Sequence, residues 1–235
     1  MFNLNFIMNL ERKIIVTGHY GSGKTEFVVS AASQMKSRDD RYDSLAVIDL
    51  DIINPYFRSR EQREMLSNAG IDVYGSVFDT EVTAELPALS ANIRKPLEDK
   101  SCRVITDAGG NDTGAVVLNQ FNKYFTEDTT VLAVINSNRP DTCSVEGAID
   151  HIRSIEYITK LNVSAIINNS HMLRDTRPDD IKEGHMFCKE ICDLTGKYLL
   201  CDCYPQGIVN PDDLIGLSEN LIPMGLYMRP TWLDS

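Results

Sequence analysis

Residues 16 to 27 read VTGHYGSGKTEF and set Gly18, Gly23, Lys24 and Thr25 in the spacing G-x-x-x-x-G-K-[ST], with Gly21 as a further glycine inside it. The chemistry this suits is the grip on a triphosphate tail. Such a tail is held best by several backbone N–H groups pointing inward, and glycines let the chain curl that closely without side-chain clashes. A helix beginning at the lysine adds its own unpaired N–H groups and the positive end of its dipole. Lys24 then reaches the β- and γ-phosphates as a point charge, and the Thr25 hydroxyl ligates magnesium. The nucleotide-binding set read from this stretch is Gly18, His19, Tyr20, Gly21, Ser22, Gly23, Lys24, Thr25 and Glu26.

Three further strand-end groups carry the residues a nucleotide hydrolase needs. In VITDAGG, an apolar run delivers Asp107 to a strand end, where a carboxylate holds magnesium, usually through water; Gly110 offers a backbone N–H to the γ-phosphate. In VIDLDIINPYFRSRE, Asp49 and Asp51 alternate and face the same way, a like-charge pair that a magnesium–nucleotide complex would compensate. Asp51 is the candidate to orient the attacking water, with Asp49 supporting the metal shell, so the metal set is Thr25, Asp49 and Asp107. Arg58 and Arg60 follow, and a guanidinium there can neutralise transition-state charge; Arg58 joins Lys24 and Asp51 in the catalytic set. Tyr56 and Phe57 beside them read as a partner contact or a hydrophobic anchor. In VINSNRPD (134 to 141) and IINNSHM (166 to 172), Asn side chains stand at strand ends, and Asn168 and Asn169 can pair with donor and acceptor edges of a purine. An aspartate of the Asn-Lys-x-Asp kind, which reads guanine, is absent there, so the expected base is adenine. The stretch YPQGIVNPDD, residues 204 to 213, could close over it.

These residues must be positioned by a scaffold, and the pattern predicts one. Apolar strand-like runs at 13–18, 44–51, 71–75, 102–110, 129–137, 163–170 and 198–205 alternate with helical stretches at 25–36, 59–70, 87–99, 115–125, 144–160 and about 179–195. That alternation is the mark of an α/β fold, a mostly parallel sheet with helices on both faces. Pro96 is expected to end or kink the helix over 87–99. A last short helix is expected over 211–219. The reading is one nucleotide hydrolase domain over 13–219, an N-terminal extension over 1–12 and a tail over 220–235.

The formal net charge of −11 would repel a phosphate backbone, so nucleic acid is not an expected partner. No run approaches the ~18 apolar residues of a membrane span, so stable insertion is not expected. The opening MFNLNFIMNLERK lacks a basic start and a cleavage site and does not read as a secretory signal. Six cysteines without an export signal fit free thiols in a cytoplasmic protein. Cys188 and Cys192 lie one helical turn apart and Cys201 and Cys203 on one strand face; they are either core or a converging metal or cluster site.

On GHYGSGKTE, on DLD ending the second strand and on DAGG at the later one, the chain resembles the MinD/ParA-type ATPases and the nitrogenase iron protein, within the class that includes signal-recognition GTPases. It looks closest to uncharacterised ATP-binding proteins that share GxYGSGKTE and DLDIxNPYFRSRE. The resemblance covers roughly residues 13 to 215 and implies a three-layer P-loop NTPase fold of about seven or eight strands. It also implies Mg-ATP hydrolysis and, often, a nucleotide-sandwich homodimer read by a partner protein. That family's loop carries a lysine directly after the first glycine, which reaches across the dimer. Here His19 stands there, with Tyr20 where glycine is usual, so either Arg58 takes that part or the protein acts without sandwich dimerisation. The expected function is an ATP-driven conformational switch; the alternatives are a small-molecule kinase or ligase and a metallocentre maturation nucleotidase.

Overall fold

A computed structural model describes residues 5–51, 63–75, 86–110, 112–225 and 227. Eight strands form one sheet: β1 (Lys13–Thr17), β2 (Ser44–Asp49), β3 (Asp72–Gly75), β4 (Cys102–Asp107), β5 (Thr129–Ile135), β6 (Ala165–Asn168), β7 (Tyr198–Pro205) and β8 (Leu221–Met224). Their spatial order is β3-β2-β4-β1-β5-β6-β7-β8, and every neighbouring pair is parallel. Parallel strands are joined by crossover helices that cover both faces, which is why the central strands read as unbroken apolar runs.

The helices are α1 (Asn5–Met8), α2 (Lys24–Lys36), α3 (Arg63–Asn68), α4 (Leu86–Glu98), α5 (Asp112–Asn119), α6 (Val145–Thr159) and α7 (Pro178–Thr195). Side chains alternate across the pleat, so each strand feeds two cores. On one face Ile14, Val16, Val47, Leu132 and Ile167 pack with Phe27, Val28 and Met35 of α2 and with Leu66 of α3. On the other, Ile15, Ile48, Val104, Ala133 and Ile166 pack with Ile93 and Leu97 of α4, Leu118 of α5, Ile149 and Ile152 of α6 and Ile191 of α7. Each large aliphatic chain so buried contributes about 1.5–3 kcal/mol. This is the three-layer α/β architecture expected from the sequence.

Four local features differ from the sequence reading. The helix α4 continues through Pro96 to Glu98, because a proline so near the C-terminal end removes a single intrahelical bond while Leu97 stays buried and Asp99 N still donates to Lys95 O at 3.1 Å. The helix expected over 115–125 divides into α5 and a 3-10 turn over Asn122–Tyr124. The short helix expected over 211–219 is a 3-10 turn over Pro211–Leu214. In the segment read as a tail, Leu221–Met224 is an edge strand on β7, with Leu221, Ile222 and Met224 buried; four residues with a proline among them carry too little pattern to be read as a strand.

The N-terminal helix is also drawn into the body. Arg103 of β4 is fully buried, and its Nη2 donates to the carbonyls of Ile7 and Leu10 at 2.9 Å each, while Nη1 pairs with Asp39. This guanidinium ties the segment before β1 to the loop after α2, at the edge of the sheet opposite the strand ends that carry Asp49 and Asp107.

Candidate functional site

The loop between β1 and α2 leaves the carboxyl end of the sheet at its centre, between β4 and β5, where α/β sheets place their ligands. Gly23 caps α2 in the left-handed region at φ 83, so the helix opens with its N–H groups turned toward the loop. The loop is packed hard on its neighbours. A Cβ on Gly110 would run into the Gly18 carbonyl, and one on Gly23 into the Asn169 amide. Both positions require glycine for the same reason: another segment's polar atom occupies the place of the side chain.

Lys24 and Thr25 are both buried at the start of α2. The Thr25 hydroxyl donates to Asp107 Oδ2 at 2.7 Å, and Lys24 Nζ donates to His19 O at 3.3 Å across the loop. Two buried oxygens on this segment, Thr17 Oγ1 and Ser22 Oγ, have no hydrogen-bond partner among the described residues. Burying a hydroxyl without a partner costs free energy, so polar atoms left thus at a curled glycine loop fit a site made for a polar ligand.

The carboxylates converge by register. Asp49 and Asp107 are direct partners in the β2/β4 ladder, and Asp107 is level with Val16 of β1. Asp51 is buried one turn of chain further on, its N–H donating to Asp49 Oδ1 at 3.1 Å; a Cβ on Gly109 would lie 3.3 Å from Asp51 Oδ1. The three acids therefore stand together above the ends of β2 and β4, beside Lys24. Burial, then the charge of Asp49, pushes Asp107 up to about 7, against the pull of Lys24 and the Thr25 hydroxyl. A divalent cation among these groups would relieve that repulsion, and the hard oxygen donors of Thr25, Asp49 and Asp107 suit magnesium. Among the described residues no group of three or more His, Cys, Asp or Glu side chains is arranged to hold a metal ion by itself.

On the other side of the loop the strand ends of β5 and β6 supply braces. Asn169 Nδ2 donates to Ser22 O at 2.7 Å, and Arg139 Nε donates to Gly21 O at 2.8 Å. His19 Nε2 lies 3.3 Å from Asp141 Oδ2, and its ring meets that of His151 edge-on at 5.1 Å. His19 is thus held within its own chain, while Tyr20 is exposed. Glu26 Oε2 accepts from Tyr227 N at 3.0 Å.

Asn168, read from the sequence as a base reader beside Asn169, lies elsewhere. It is fully buried, its Nδ2 donates to Asp202 Oδ1 at 2.7 Å and Ile181 O at 3.0 Å, and its Oδ1 accepts from Ser170 N at 3.1 Å. With its amide engaged in the interior, Asn168 has nothing to offer a base; adjacent strand residues face opposite ways, and only Asn169 turns to the loop. Arg58, with Arg60, Tyr56 and Phe57, lies outside the described residues. His171 also reaches the loop, its Nε2 3.6 Å from where a Cβ on Gly23 would stand, and neither it nor Arg139 was singled out in the sequence, where the signal was their position just after a strand.

The four clustered cysteines do not form one metal-holding group. Cys188 and Cys192 belong to the core on the α7 face and Cys201 and Cys203 to the core on the α2 face, with the sheet between them. Burial pushes Cys192 up to about 11 and raises Cys188 and Cys201 well above the ordinary thiol value, so these are protonated core thiols.

No protein-family profile matches this chain, and no curated protein matches it in sequence. Solved structures do match in fold. FtsY from Mycoplasma mycoides is 18% identical over 84% of this chain and 60% of its own, with a TM-score of 0.55. Chloroplast FtsY from Physcomitrella patens is 16% identical over 83% of this chain and 59% of its own, with a TM-score of 0.55. The Signal Recognition Particle 54 kDa protein from Aeropyrum pernix, solved in complex with GDP, is 17% identical over 81% of this chain and 40% of its own, with a TM-score of 0.54. The chain thus spans at most 60% of the length of these three proteins. The fold is that of the P-loop NTPases, on the sheet and on these neighbours together. No helix among the described residues is long and apolar enough to cross a membrane.

Proposed function

We propose that this chain is a magnesium-dependent nucleoside triphosphatase whose hydrolysis cycle switches its conformation toward a partner protein. One observation carries the reading: Lys24, the Thr25–Asp107 hydrogen bond, Asp49 and Asp51 converge on a loop that leaves no room for a side chain at Gly18 or Gly23. Phosphoryl transfer to water asks mainly for positioning and charge neutralisation, and these groups supply both.

Backbone N–H groups from Gly18 to Thr25 cradle the phosphates, and Lys24 exchanges its contact with His19 O for β- and γ-phosphate oxygens. Thr25, Asp49 and Asp107 would hold the magnesium, which would supply positive charge against that of the phosphates. Asp51, against Gly109, orients the attacking water, and the N–H of Gly110 meets the γ-phosphate. Gly110 packs against Gly18, so a phosphate bound in the loop would bear on the chain after β4, and a shift of that chain would be the signal a partner reads. Arg58 is the proposed source of a further positive charge.

ATP is the proposed nucleotide, on the absence of an Asn-Lys-x-Asp sequence after β6; GTP is the arm any test must include, since structural neighbours were solved with GDP. The MinD/ParA-type likeness supports a partner-directed switch. His19, tied to Asp141 in its own chain, favours action without a cross-dimer lysine. The cysteines, divided between two cores, lend no support to the alternative of a metallocentre maturation nucleotidase. The test is a binding and hydrolysis panel with ATP and GTP, with and without magnesium. Lys24→Ala should lose phosphate release, and Asp51→Ala should keep binding while slowing turnover by about 100-fold or more. Unchanged phosphate release in both variants would overturn the proposal.

A further inference from the structure

A triphosphate has a direction in this loop. Asp49, Asp51 and Asp107 stand at the ends of β2 and β4, on one side of β1, so the metal and the γ-phosphate belong on that side. The nucleoside end then falls toward β5 and β6, where Arg139, Asn169 and His171 meet the loop.

Among these, His171 has its donor fixed by its own surroundings. Its Nδ1 lies 3.2 Å from Leu173 N. A backbone N–H can only donate, so Nδ1 accepts, and in a neutral imidazole the proton sits on Nε2. Leu173 reaches this bond from the left-handed region at φ 56, a conformation that costs a leucine about 1–2 kcal/mol. Such strain persists where the surroundings impose it, and here they do. Asn136 clasps the His171 backbone from both sides, with Oδ1 accepting from His171 N and Nδ2 donating to His171 O, each at 3.4 Å. The Thr176 hydroxyl accepts from Met172 N at 2.9 Å and donates to Leu173 O at 2.6 Å. Burial, then the positive charge of Arg139, pushes His171 down to about 4, so the ring is neutral at pH 7. Its Nε2 lies 3.6 Å from where a Cβ on Gly23 would stand, and among the described residues the ring's hydrogen bond is the one to Leu173.

We propose that His171 is a nucleotide-binding residue that donates a hydrogen bond from Nε2–H to an acceptor atom on the nucleoside side of the loop, at the α-phosphate or the nucleoside itself. This rests on the nucleotide-binding reading above. The strained turn at Leu173 serves to set the tautomer, so a neutral donor, rather than a charged or proton-accepting ring, faces the ligand.

The test combines imidazole nitrogen NMR with calorimetry on the whole chain, using the magnesium complexes of ATP, GTP and tripolyphosphate. The free protein should show His171 as the Nε2–H tautomer at pH 7, and nucleotide should shift its Nε2 resonance. His171→Ala should weaken nucleotide binding about tenfold, and His171→Gln, whose amide nitrogen reaches the same place, should recover most of it. Weaker binding of tripolyphosphate as well as nucleotide assigns the contact to a phosphate oxygen; weaker binding of nucleotide alone assigns it to the nucleoside; both support the proposal. An Nδ1–H tautomer, or a folded His171→Ala variant that binds like the wild type, overturns it while leaving the nucleotide reading intact. A wild type that binds no nucleotide overturns both.

Discussion

Asp107→Asn should make the ligand-free protein more stable at neutral pH, although it removes a residue at the heart of the site. In the folded chain Asp107 is buried beside Asp49, and its carboxyl is pushed from the ordinary 3.8 up to about 7. A folded value above the unfolded one means the charged form is disfavoured by folding. The cost is absent below about pH 4, grows as pH rises toward 7, and is complete above it. At about 1.4 kcal/mol per pH unit the interval sets a ceiling of ~4 kcal/mol. Roughly half should be recovered in practice, because the asparagine no longer faces Lys24 as a counter-charge, while its Oδ1 still accepts from the Thr25 hydroxyl. A gain of about 2 kcal/mol corresponds to a Tm rise of roughly 4–8 °C for a chain of this size. Thermal melts of both proteins at pH 8 and pH 4, without nucleotide or magnesium, measure it directly. A Tm at pH 8 equal to or below that of the wild type, or the same rise at pH 4, would refute the account of Asp107 as a carboxylate held at a cost for a cation.

Arg103→Ala should destabilise the chain by about 3–5 kcal/mol, since it strands the carbonyls of Ile7 and Leu10 and leaves Asp39 with Arg41 alone of its two guanidinium partners, and a melt at pH 7 should fall by roughly 10 °C. Burial works upward on Asp39, yet hydrogen bonds from Arg41 and Arg103 hold it at about 2, so its contribution is complete above pH 4 and lost as pH falls toward 2. The variant's acid unfolding should lose the part of that pH dependence that Arg103 supplies and keep the part that Arg41 supplies. Asn169→Ala removes the donor to Ser22 O and should cost about 1–2 kcal/mol by denaturant titration, with weaker nucleotide binding in calorimetry. Unaltered values in both measurements would show that the brace is not used.

The sequence by itself determined the architecture and named one half of the candidate site. Strict alternation of apolar runs with helical stretches leaves a parallel sheet few other arrangements, and local spacing is enough to build a loop such as 18–25, because its chemistry is carried by consecutive residues. The aspartates at 49, 51 and 107 were legible as strand ends for the same reason. Their meeting was not. Asp49 and Asp107 become partners through the order β2-β4-β1, a long-range pairing that no local pattern encodes. Tertiary structure alone likewise turned Asn169 to the loop and Asn168 to Asp202, and split four neighbouring cysteines between two cores. It also carried Arg139 and His171 onto a glycine loop over 100 residues away in sequence. Side-chain facing and cross-strand adjacency are settled by the pleat and by strand order, and these exist only once the whole sheet has closed around its cores.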